Sequence, residues 1–451
     1  MSHVCVFEWR YGSNEMGRLF SLENIVKTYI LVEAALLHGL EAVGVAPKGC
    51  SDKVRECANR AREIAEKMYR LEKSRGHDIA SLVELLSREC TSECAPLIHY
   101  GLTSNDVIDT AWAVLLRDAL DILVGRVCRV LEKLERLARD YADAIMPGRT
   151  HGQYALPITF GFKIANYVYE LSRSLERILE ARERVVKGKL SGPVGTMAAW
   201  KGYGPAVEKH ALEMLGLEPH PIATQVAPRD GFAELATSLA ILASQLERLT
   251  LEVRELARPE IGEVWEEARR VGSSAMPHKR NPVVSERVAG LARLVRGLAL
   301  GFLENIVLWH ERDLSNSSFE RHSIPHLLLA VDQLLLDTTW ILDHLHVDID
   351  AMRGHVEENA WLFASECLVR MLILKGIPRH EAHRLVWEAY MRAYEERAGK
   401  NLVIEVLGKW LDEHEIAECF DPRRQLGNYR ELIDRALSYA RNRVGGVCGW
   451  V

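Results

Sequence analysis

Apolar residues recur every three or four positions through the central third of the chain, and this spacing predicts long helices. No proline or cluster of turn residues interrupts residues 106–146, with a T-x-x-D start signal at 103–106 and Pro147-Gly148 at the end. Residues 232–256 carry an uninterrupted heptad pattern that closes before Pro259. Comparable segments cover 158–187, 283–312 and 324–345. Long helices with apolar stripes must pack side by side, so the pattern predicts a long bundle.

Shorter helical patterns flank the bundle, at 22–43, 51–74 and 78–89 before it and at 355–375, 378–397, 401–407 and 428–441 after it. Strand-like alternation is almost absent. The sequence therefore predicts an all-α protein in three parts: an N-terminal helical domain (1–103), a central long-helix bundle (104–348) and a C-terminal helical domain (349–451). Where a long helix is apolar on more than one face, we expect the additional face to contact other subunits.

The composition of the chain disfavours nucleic-acid-binding and membrane proteins. The 451 residues are 48% hydrophobic and 27% charged, with a net charge of −6, which is typical of an ordinary soluble protein. No basic surplus indicates nucleic-acid binding. The first thirty residues lack a signal-peptide pattern, and the apolar runs are too short to span a membrane, so the expected location is the cytoplasm.

Nine cysteines occur without a C-x-x-C pair, so structural zinc is not expected. Asn and Gln together number 17, against 57 Lys and Arg and 63 Asp and Glu, a balance seen in heat-adapted proteins. Intracellular proteins of some hyperthermophiles form disulfides. A thermophilic source is plausible on these grounds, and the sequence leaves open whether any cysteines are paired.

The decapeptide at 273–282, SSAMPHKRNP, is the most informative segment. It places two hydroxyls, an imidazole and two cations between prolines, which discourage regular helix. Nearly all of these side chains favour water or an anion, so the segment is a poor core element. It suits a loop that holds a carboxylate while a hydroxyl or imidazole moves a proton, which indicates chemistry at a carbon next to a carboxylate.

Other polar clusters interrupt the pattern where helices begin or end, at 10–13, 75–78, 99–106, 148–153 and 309–321. Thr103 and Ser104 lie at a helix N-terminus, where unpaired N–H groups favour an anion, although they could equally be simple caps. His151 could likewise be an ordinary satisfied polar residue. Together the clusters place His, Ser, Thr, Lys and Arg at the ends of antiparallel helices, which favours a substrate with several negative charges.

Several other kinds of site are disfavoured. No GxxxxGK[ST] or GxGxxG motif precedes a helix, so nucleotide binding of the familiar α/β kinds is unsupported. The glycine-containing segment at 191–196 is interpreted as a turn. The histidine pairs at 380 and 383 and at 344 and 346 lack good metal-ligand spacing or context, and no metal is expected.

With these residues in view, SSAMPHKRNP resembles the signature of the fumarase/aspartase superfamily, whose members eliminate across a C–N or C–O bond. The form with His278, Lys279 and Arg280 resembles the adenylosuccinate lyase family. So do RY at 10–11, HD at 77–78, GLTSND at 101–106, GRTHGQ at 148–153 and WHERDLSNSS at 309–318. The matches span residue 10 to about residue 400. Carboxymuconate cycloisomerases carry almost the same decapeptide.

The resemblance implies a homotetramer with a twenty-helix core, five long helices per subunit and active sites shared by three subunits. It implies a cofactor-free enzyme that converts adenylosuccinate to AMP and fumarate and SAICAR to AICAR and fumarate. The implied partners are thus a phosphorylated, dicarboxylate-bearing purine nucleotide and further copies of the chain, with no nucleic acid and no membrane.

The resemblance also implies individual roles. Ser273 matches the general base and His151 the general acid, while Lys279 and Asn281 would stabilise the charge that develops on the substrate carboxylate. Glu286 would orient or charge-balance the histidine, and His77 could orient the reacting end. The implied substrate-binding residues are Arg10, Tyr11, Gly76, Asp78, His99, Thr103, Ser104, Gln225, Arg312, Ser317 and Arg321. Pro228, close to Gln225, departs from the expected pattern and puts the purine end of the pocket in doubt.

Two other readings stay open. The nearest is a cycloisomerase or another lyase of the superfamily that acts on a non-nucleotide acid. Arg10, Tyr11 and the region of Arg312 and Arg321 argue against it, because a phosphate requires cations that a small acid does not. The other is a non-catalytic structural relative, which intact Ser273, His151 and Lys279 disfavour.

Overall fold

A computed structural model describes residues 5–267 and 276–450, and over these residues the all-α prediction is confirmed. No helix of the described chain is long and apolar enough to cross a membrane. The α-helices of the described residues are α1 (Asn14–Leu19), α2 (Leu22–Ala42), α3 (Cys50–Cys57), α4 (Ala61–Arg75), α5 (Asp78–Glu89), α6 (Ser104–Asp140), α7 (Phe160–Val185), α8 (Gly204–Leu215), α9 (Asp230–Leu256), α10 (Val283–Glu304), α11 (Ser315–Asp343), α12 (Ile349–Glu358), α13 (Ala360–Phe363), α14 (Ser365–Leu374), α15 (Arg379–Glu395), α16 (Lys400–Leu407), α17 (Glu413–Cys419) and α18 (Tyr429–Cys448).

Short strands pair in three two-stranded sheets among the described residues. The strands are β1 (Ile145–Thr150), β2 (Gln153–Thr159), β3 (Lys187–Gly188), β4 (Glu218–Pro219), β5 (Val264–Glu266) and β6 (Leu345–Val347). The pairs β1–β2 and β5–β6 are antiparallel, and β3–β4 is parallel.

The five long helices α6, α7, α9, α10 and α11 match the predicted long segments, but three boundaries were wrong. Helix α6 ends at Asp140 instead of continuing to residue 146, because the chain turns into β1 there. Helix α10 ends at Glu304 rather than residue 312. Helix α11 begins at Ser315 rather than residue 324 and contains Pro325. Its first turns are polar because Ser317 and Arg321 line a cavity, so they show no apolar stripe.

The hairpin formed by β1 and β2 is the main element that the sequence prediction missed. Thr150 pairs with Gln153, which leaves His151 and Gly152 as a two-residue loop. Their φ angles of 54° and 73° are those of a type I′ turn, the turn that best matches the twist of a two-residue hairpin. A glycine at the second position makes this conformation accessible.

The chain divides into two compact units. Unit 1 comprises residues 1–128, 173–248 and 286–338, and unit 2 comprises 129–172, 249–285 and 339–451. The predicted three-part division, with boundaries after residues 103 and 348, stays a prediction.

In unit 1, α2 is the most buried of the N-terminal helices and packs against α3, α4 and α8. Polar contacts link the long helices side by side. Ser174 in α7 donates to Gln245 in α9 at 2.5 Å, and Arg296 in α10 pairs with Glu247 in α9 at 2.6 Å. Arg182 in α7 pairs with Asp121 in α6 at 2.6 Å, so these two helices are also in contact.

In unit 2, helices α14 to α17 enclose a hydrophobic core that includes Leu368, Val386, Val403 and Ile416. Hairpin β1–β2 packs on α12 and α13. Lys163 in α7 pairs with Glu252 in α9 at 2.6 Å.

Disulfides, which the sequence left open, are present in both units. Cys50–Cys94 and Cys57–Cys90 link α3 to the end of α5 and the segment after it. Cys367–Cys419 links α14 to α17. Each of these bonds closes a loop of more than thirty residues, which restricts the unfolded chain.

Candidate active site

A cavity of about 180 Å³ in unit 1 collects much of the predicted site. It lies where α5 and α6 begin and where the segment before α11 leads into that helix. Seven residues predicted from sequence line it, namely Gly76, His77, Asp78, Ser104, Arg312, Ser317 and Arg321. Glu72, Asn105, Ile108 and Leu314 complete the lining. The structure thus brings together residues that are up to 245 positions apart in the chain, from 76 to 321.

His77 is held by the start of α5. Its Nδ1 accepts from the backbone N–H of Ala80 at 3.3 Å, which makes it the N-cap residue. Because Nδ1 is thereby an acceptor, the proton of the neutral ring lies on Nε2, which is 3.2 Å from the hydroxyl of Ser104. The imidazole therefore presents a donor edge at the first turn of α6.

Asp78 and Arg321 form an ion pair of 2.6 Å along the cavity wall. The Asp78 side chain is only 9% exposed and also accepts from the backbone N–H of Ile79 at 2.8 Å. Burial opposes the charge of Arg321, but Asp78 outweighs this effect and raises the pKa of the guanidinium. Ser317 accepts from Arg321 Nε at 3.5 Å. Asp78 therefore serves mainly to hold Arg321 in place.

Arg312 is the cation of the cavity that lacks a carboxylate partner among the residues the structure describes. Its Nη1 donates to the side-chain oxygen of Gln225 at 3.0 Å, and its buried Nε has no hydrogen-bond partner. Burial lowers the pKa of Arg312. A half-buried guanidinium with a spare donor is suited to an anionic ligand.

The first turn of α6 lies at the same cavity. The predicted start signal is present, because the N–H of Thr103 donates to Asp106 at 2.7 Å. Ser104 and Asn105, in the first turn, line the cavity. The positive end of the helix dipole and Arg312 together favour a carboxylate here.

Buried charges support this wall from behind. Asp106 pairs with Lys189 at 2.7 Å, and both side chains are at most 1% exposed. Arg229 is paired with Asp109 at 2.8 Å and with Glu320 at 3.0 Å. These two acids outweigh the cost of burial and raise the pKa of Arg229. The sequence interpretation did not identify Lys189 or Arg229.

The unexpected Pro228 lies exposed between two buried anchors. Ala227 donates its N–H to Asp109 at 2.8 Å, and Arg229 donates to the carbonyl of Ala227 at 2.9 Å. Proline has no backbone N–H that would need a hydrogen-bond acceptor, and the hydrogen bonds of Ala227 and Arg229 hold the segment in place. Gln225 does not line the cavity, but it contacts the cavity residue Arg312 despite the departure from the expected pattern.

His99 lies in unit 1 but does not line the cavity. Its ring Nδ1 is 2.6 Å from the fully buried carboxylate of Glu33. The backbone N–H of His99 donates to the same carboxylate at 2.9 Å. Burial disfavours the charged ring, but Glu33 outweighs that effect and raises the pKa of His99.

Arg10 and Tyr11 also lie outside this cavity. Arg10 Nε donates to the Tyr11 hydroxyl at 3.3 Å on the surface. The following residues anchor the segment to α11, since Gly12 donates to Gln333 at 2.7 Å and Ser13 to Asp332 at 3.0 Å. Within unit 1 these two residues are separate from the other predicted phosphate-binding candidates Ser317 and Arg321.

His151 belongs to unit 2, where it is exposed at the tip of hairpin β1–β2. Arg149, two residues earlier, makes a bidentate pair with buried Glu263 at 2.8 and 2.6 Å. His355 Nδ1 lies 2.8 Å from the same carboxylate. Glu263 therefore fixes the hairpin near its tip, while the His151 ring stays accessible.

The described part of the signature loop is exposed. Lys279 is exposed and Asn281 half-buried in unit 2, and Glu286 is exposed in the first turn of α10 in unit 1. The proposed base Ser273 lies outside the described residues, so its placement is not tested.

A larger groove of about 770 Å³ occurs in unit 2, between α14, α15 and β2. It contains none of the predicted site residues. Size alone does not identify a catalytic site, and the smaller cavity of unit 1 contains the buried unpaired donor and the converging polar groups that a binding site requires.

Comparison with known proteins identifies the family to which the chain belongs. Residues 13–297 match a family described as "Lyase", and residues 362–436 match one described as "Adenylosuccinate lyase C-terminus". A fumarate lyase structure from Mesorhizobium sp. BNC1 is similar, with a TM-score of 0.84, 29% identity and coverage of 95% of this chain and 98% of that chain. A 3-carboxy-cis,cis-muconate lactonizing enzyme from Pseudomonas putida is similar as well, with a TM-score of 0.86 and 26% identity. The match covers 97% of this chain and 99% of that chain. The fold and the family match thus define a lyase.

Curated relatives show to which family of lyases the chain belongs. An adenylosuccinate lyase from Aquifex aeolicus is 40% identical over 433 residues, which cover 95% of this chain and 98% of that protein. One from Archaeoglobus fulgidus is 37% identical over 438 residues, with coverage of 96% and 97%. The chain belongs to the adenylosuccinate lyase family.

Proposed function

We propose that the protein cleaves adenylosuccinate to AMP and fumarate, and SAICAR to AICAR and fumarate, as a step of purine biosynthesis. The observation that carries the proposal is the full-length similarity to adenylosuccinate lyases, 37–40% identical over about 95% of the chain. The cavity of unit 1 supports it, because a half-buried arginine and the N-terminus of a long helix, both suited to a carboxylate, meet there.

The chemistry is a β-elimination. The Cβ proton of the succinyl group is weakly acidic until the adjacent carboxylate can take up charge as a dianion. A fixed cation and amide donors beside that carboxylate lower the barrier, and we assign this role to Lys279 and Asn281. No step requires a cofactor, since the electrons of the broken C–H bond form the new double bond as nitrogen departs.

Proton transfer is assigned to residues on two loops. Ser273 removes the Cβ proton; an ordinary serine is a poor base, so the proposal requires a loop that closes and excludes water. His151 protonates the departing purine nitrogen, because histidine is the side chain that most often acts as a general acid. The exposed hairpin tip makes its ring accessible to a ligand. Glu286 orients or charge-balances the histidine, and His77 orients the reacting end.

Substrate binding is assigned by charge. Thr103, Ser104 and Arg312 hold a succinyl carboxylate, and Gln225 contacts the purine or succinyl side. Arg10, Tyr11 and His99 meet the phosphate, with Ser317 and Arg321 as further candidates. Gly76 and Asp78 complete the wall beside His77.

We further propose a cytoplasmic homotetramer with active sites shared by three subunits. The separation of Arg10 and Tyr11 from the cavity within unit 1 is compatible with such sharing, because another copy of the chain could supply those two residues.

A carboxymuconate cycloisomerase is the second candidate. It rests on solved structures of such enzymes with TM-scores of 0.85–0.86. Their identity of 25–26% is well below that of the adenylosuccinate lyases. Arg312 and Arg321 also favour the more highly charged nucleotide.

The two candidates are separated by one experiment. The purified protein is given adenylosuccinate or carboxymuconate, and the loss of each substrate is followed by absorbance with chromatography of the products. We expect AMP and fumarate from the first and no turnover of the second. Lactone formation without purine cleavage would replace the proposal with the cycloisomerase.

His151→Ala and Ser273→Ala should each lower kcat for adenylosuccinate at least about a hundredfold, the effect of losing one proton-transfer group. Substrate binding should be largely retained and is measured by calorimetry on the inactive variants. His210→Ala, at a half-buried histidine of α8 outside the predicted site, serves as the matched control and should retain activity. Near wild-type turnover in either test variant would refute the role assigned to that residue.

A further inference from the structure

We infer that Lys189 is a positioning residue that holds the carboxylate-binding wall of the cavity in its working geometry. The inference rests on the proposed function and adds to it a residue with no contact to the substrate. It starts from an unusual burial, because the Lys189 side chain is 1% exposed and its Asp106 partner 0%. A buried lysine is expensive unless every donor is used.

All three N–H donors of the Lys189 ammonium are used within unit 1. They reach Asp106 at 2.7 Å, the carbonyl of Gly192 at 3.2 Å and the carbonyl of Gln225 at 2.7 Å. The three acceptors belong to three separate segments, namely the first turn of α6, the turn at 191–196 and the segment before α9. One cation therefore fastens three segments to a single point.

Asp106 extends this connection to the helix start. Its carboxylate accepts the N–H groups of Ser191 at 2.9 Å and Gly192 at 3.1 Å, as well as that of Thr103 at 2.7 Å. The Lys189 backbone is fixed one turn further along α6, because its N–H and carbonyl both bond the Thr110 hydroxyl at 3.0 and 2.9 Å.

Gln225 carries the connection into the cavity. Its backbone carbonyl accepts from Lys189, and its amide donates to Pro193 at 2.9 Å while its side-chain oxygen accepts from Arg312 at 3.0 Å. Arg312 has no carboxylate partner among the described residues, so the position of its guanidinium depends on this series of contacts, which begins at the Lys189 ammonium. His151, the general acid of the proposed reaction, lies on hairpin β1–β2 and takes no part in this series of contacts.

The expected kinetic effect follows from that separation. Loss of the ammonium should loosen ground-state and transition-state binding alike, which raises KM and leaves kcat nearly unchanged. For Lys189→Met we expect KM for adenylosuccinate to rise at least about tenfold and kcat to fall less than about threefold. The inhibition constant of the product fumarate should rise in parallel with KM, since fumarate uses the same carboxylate contacts.

Two further variants make the test decisive. Lys189→Met alone leaves the Asp106 charge buried without a cation, so Lys189→Met/Asp106→Asn is measured beside it; this double variant should regain thermal stability but keep the raised KM. Lys187→Ala is the matched control, because Lys187 is two residues earlier and pairs with exposed Glu218 at 2.9 Å. Its KM should equal that of the wild type.

Hydrogen–deuterium exchange provides a readout that does not depend on activity. Exchange at residues 190–196 and 222–228 should accelerate in the double variant and not in Lys187→Ala. If the wild type cleaves adenylosuccinate and the double variant keeps its KM within twofold, the inference is wrong. If the wild type shows no cleavage, the proposed function fails instead, and unchanged exchange in these two segments would overturn the inference independently.

Discussion

A single buried residue near the Asp106–Lys189 pair shows how burial sets local charge. Glu208 in α8 lies behind the Asp106–Lys189 pair, and its carboxylate accepts from the N–H of Leu190 at 3.1 Å. Burial and the nearby Asp106 raise the pKa of Glu208 to about 7, against the lowering effect of the Leu190 N–H and Lys189. The folded protein therefore keeps a proton on Glu208 at pH values where the unfolded chain has released it.

This linkage predicts a pH-dependent gain from Glu208→Gln. Because the folded-state pKa is raised from 4.5, the stability associated with this carboxyl falls as pH rises from about 4.5 to about 7. Glutamine keeps the acceptor and has no charge to bury. The variant should be more stable than the wild type by roughly 2 kcal/mol at pH 8 and by much less at pH 5.

Thermal midpoints of both proteins across pH 5–8 measure the effect. Glu213→Gln, at an exposed position of the same helix, is the control and should show no growing difference. A midpoint difference for Glu208→Gln that does not increase with pH would contradict the prediction.

At the scale of elements, close helix contacts depend on residues that have no side chain. Gly39 in α2 faces α8, and a Cβ placed on it would lie 2.3 Å from the backbone carbonyl oxygen of Val207. That oxygen cannot move without the helix that carries it. The approach of α2 to α8 is therefore set by one glycine.

Gly39→Ala should lower the free energy of unfolding by about 2 kcal/mol, in the range of over-packing in a tight core. Gly354→Ala in α12 is the control, because a Cβ there meets nothing within 4 Å. It should be neutral or stabilising by about 0.5–1 kcal/mol through helix propensity. Calorimetry of the two variants gives the comparison, and equal behaviour would mean that α8 adjusts freely.

For the whole molecule, the long helices of one chain leave apolar side chains uncovered. Among the described residues of α10 in unit 1, Leu294, Leu300 and Leu303 are 39%, 66% and 44% exposed. Ile241 of α9 is 41% exposed. Fully burying an exposed leucine or isoleucine is worth about 1.5–3 kcal/mol, and covering these partly exposed side chains gains a fraction of that each, which favours association through these helices.

We therefore expect light scattering to give a mass about four times the 51.0 kDa of one chain. A charge at the exposed face should weaken association, so Leu300→Lys should reduce the mass at micromolar concentration. Leu374→Lys is the control, because this 74% exposed residue lies on the short helix α14. A wild type that is monomeric at all concentrations would refute the tetramer.

Sequence alone predicted the long helices from their apolar periodicity and the family from the resemblance of its motifs. Heptad and three-to-four spacings report which face of a helix is buried, and they hold along α6 and α9 without knowledge of neighbours. The polar clusters at helix ends were visible because Ser317 and Arg321 interrupt an apolar pattern. The same interruption hid the true start of α11, since a polar face turned toward a cavity resembles a loop.

Tertiary structure decided what depends on partners distant in the chain. Lys189 gives no signal in the sequence, because its role comes from acceptors at positions 106, 192 and 225 that only folding assembles. The hairpin that carries His151 was signalled only by Gly152, and the pairing of the cysteines by nothing at all. Periodicity records burial along one element, whereas hydrogen bonds, disulfides and buried ion pairs are decided by how separate elements meet.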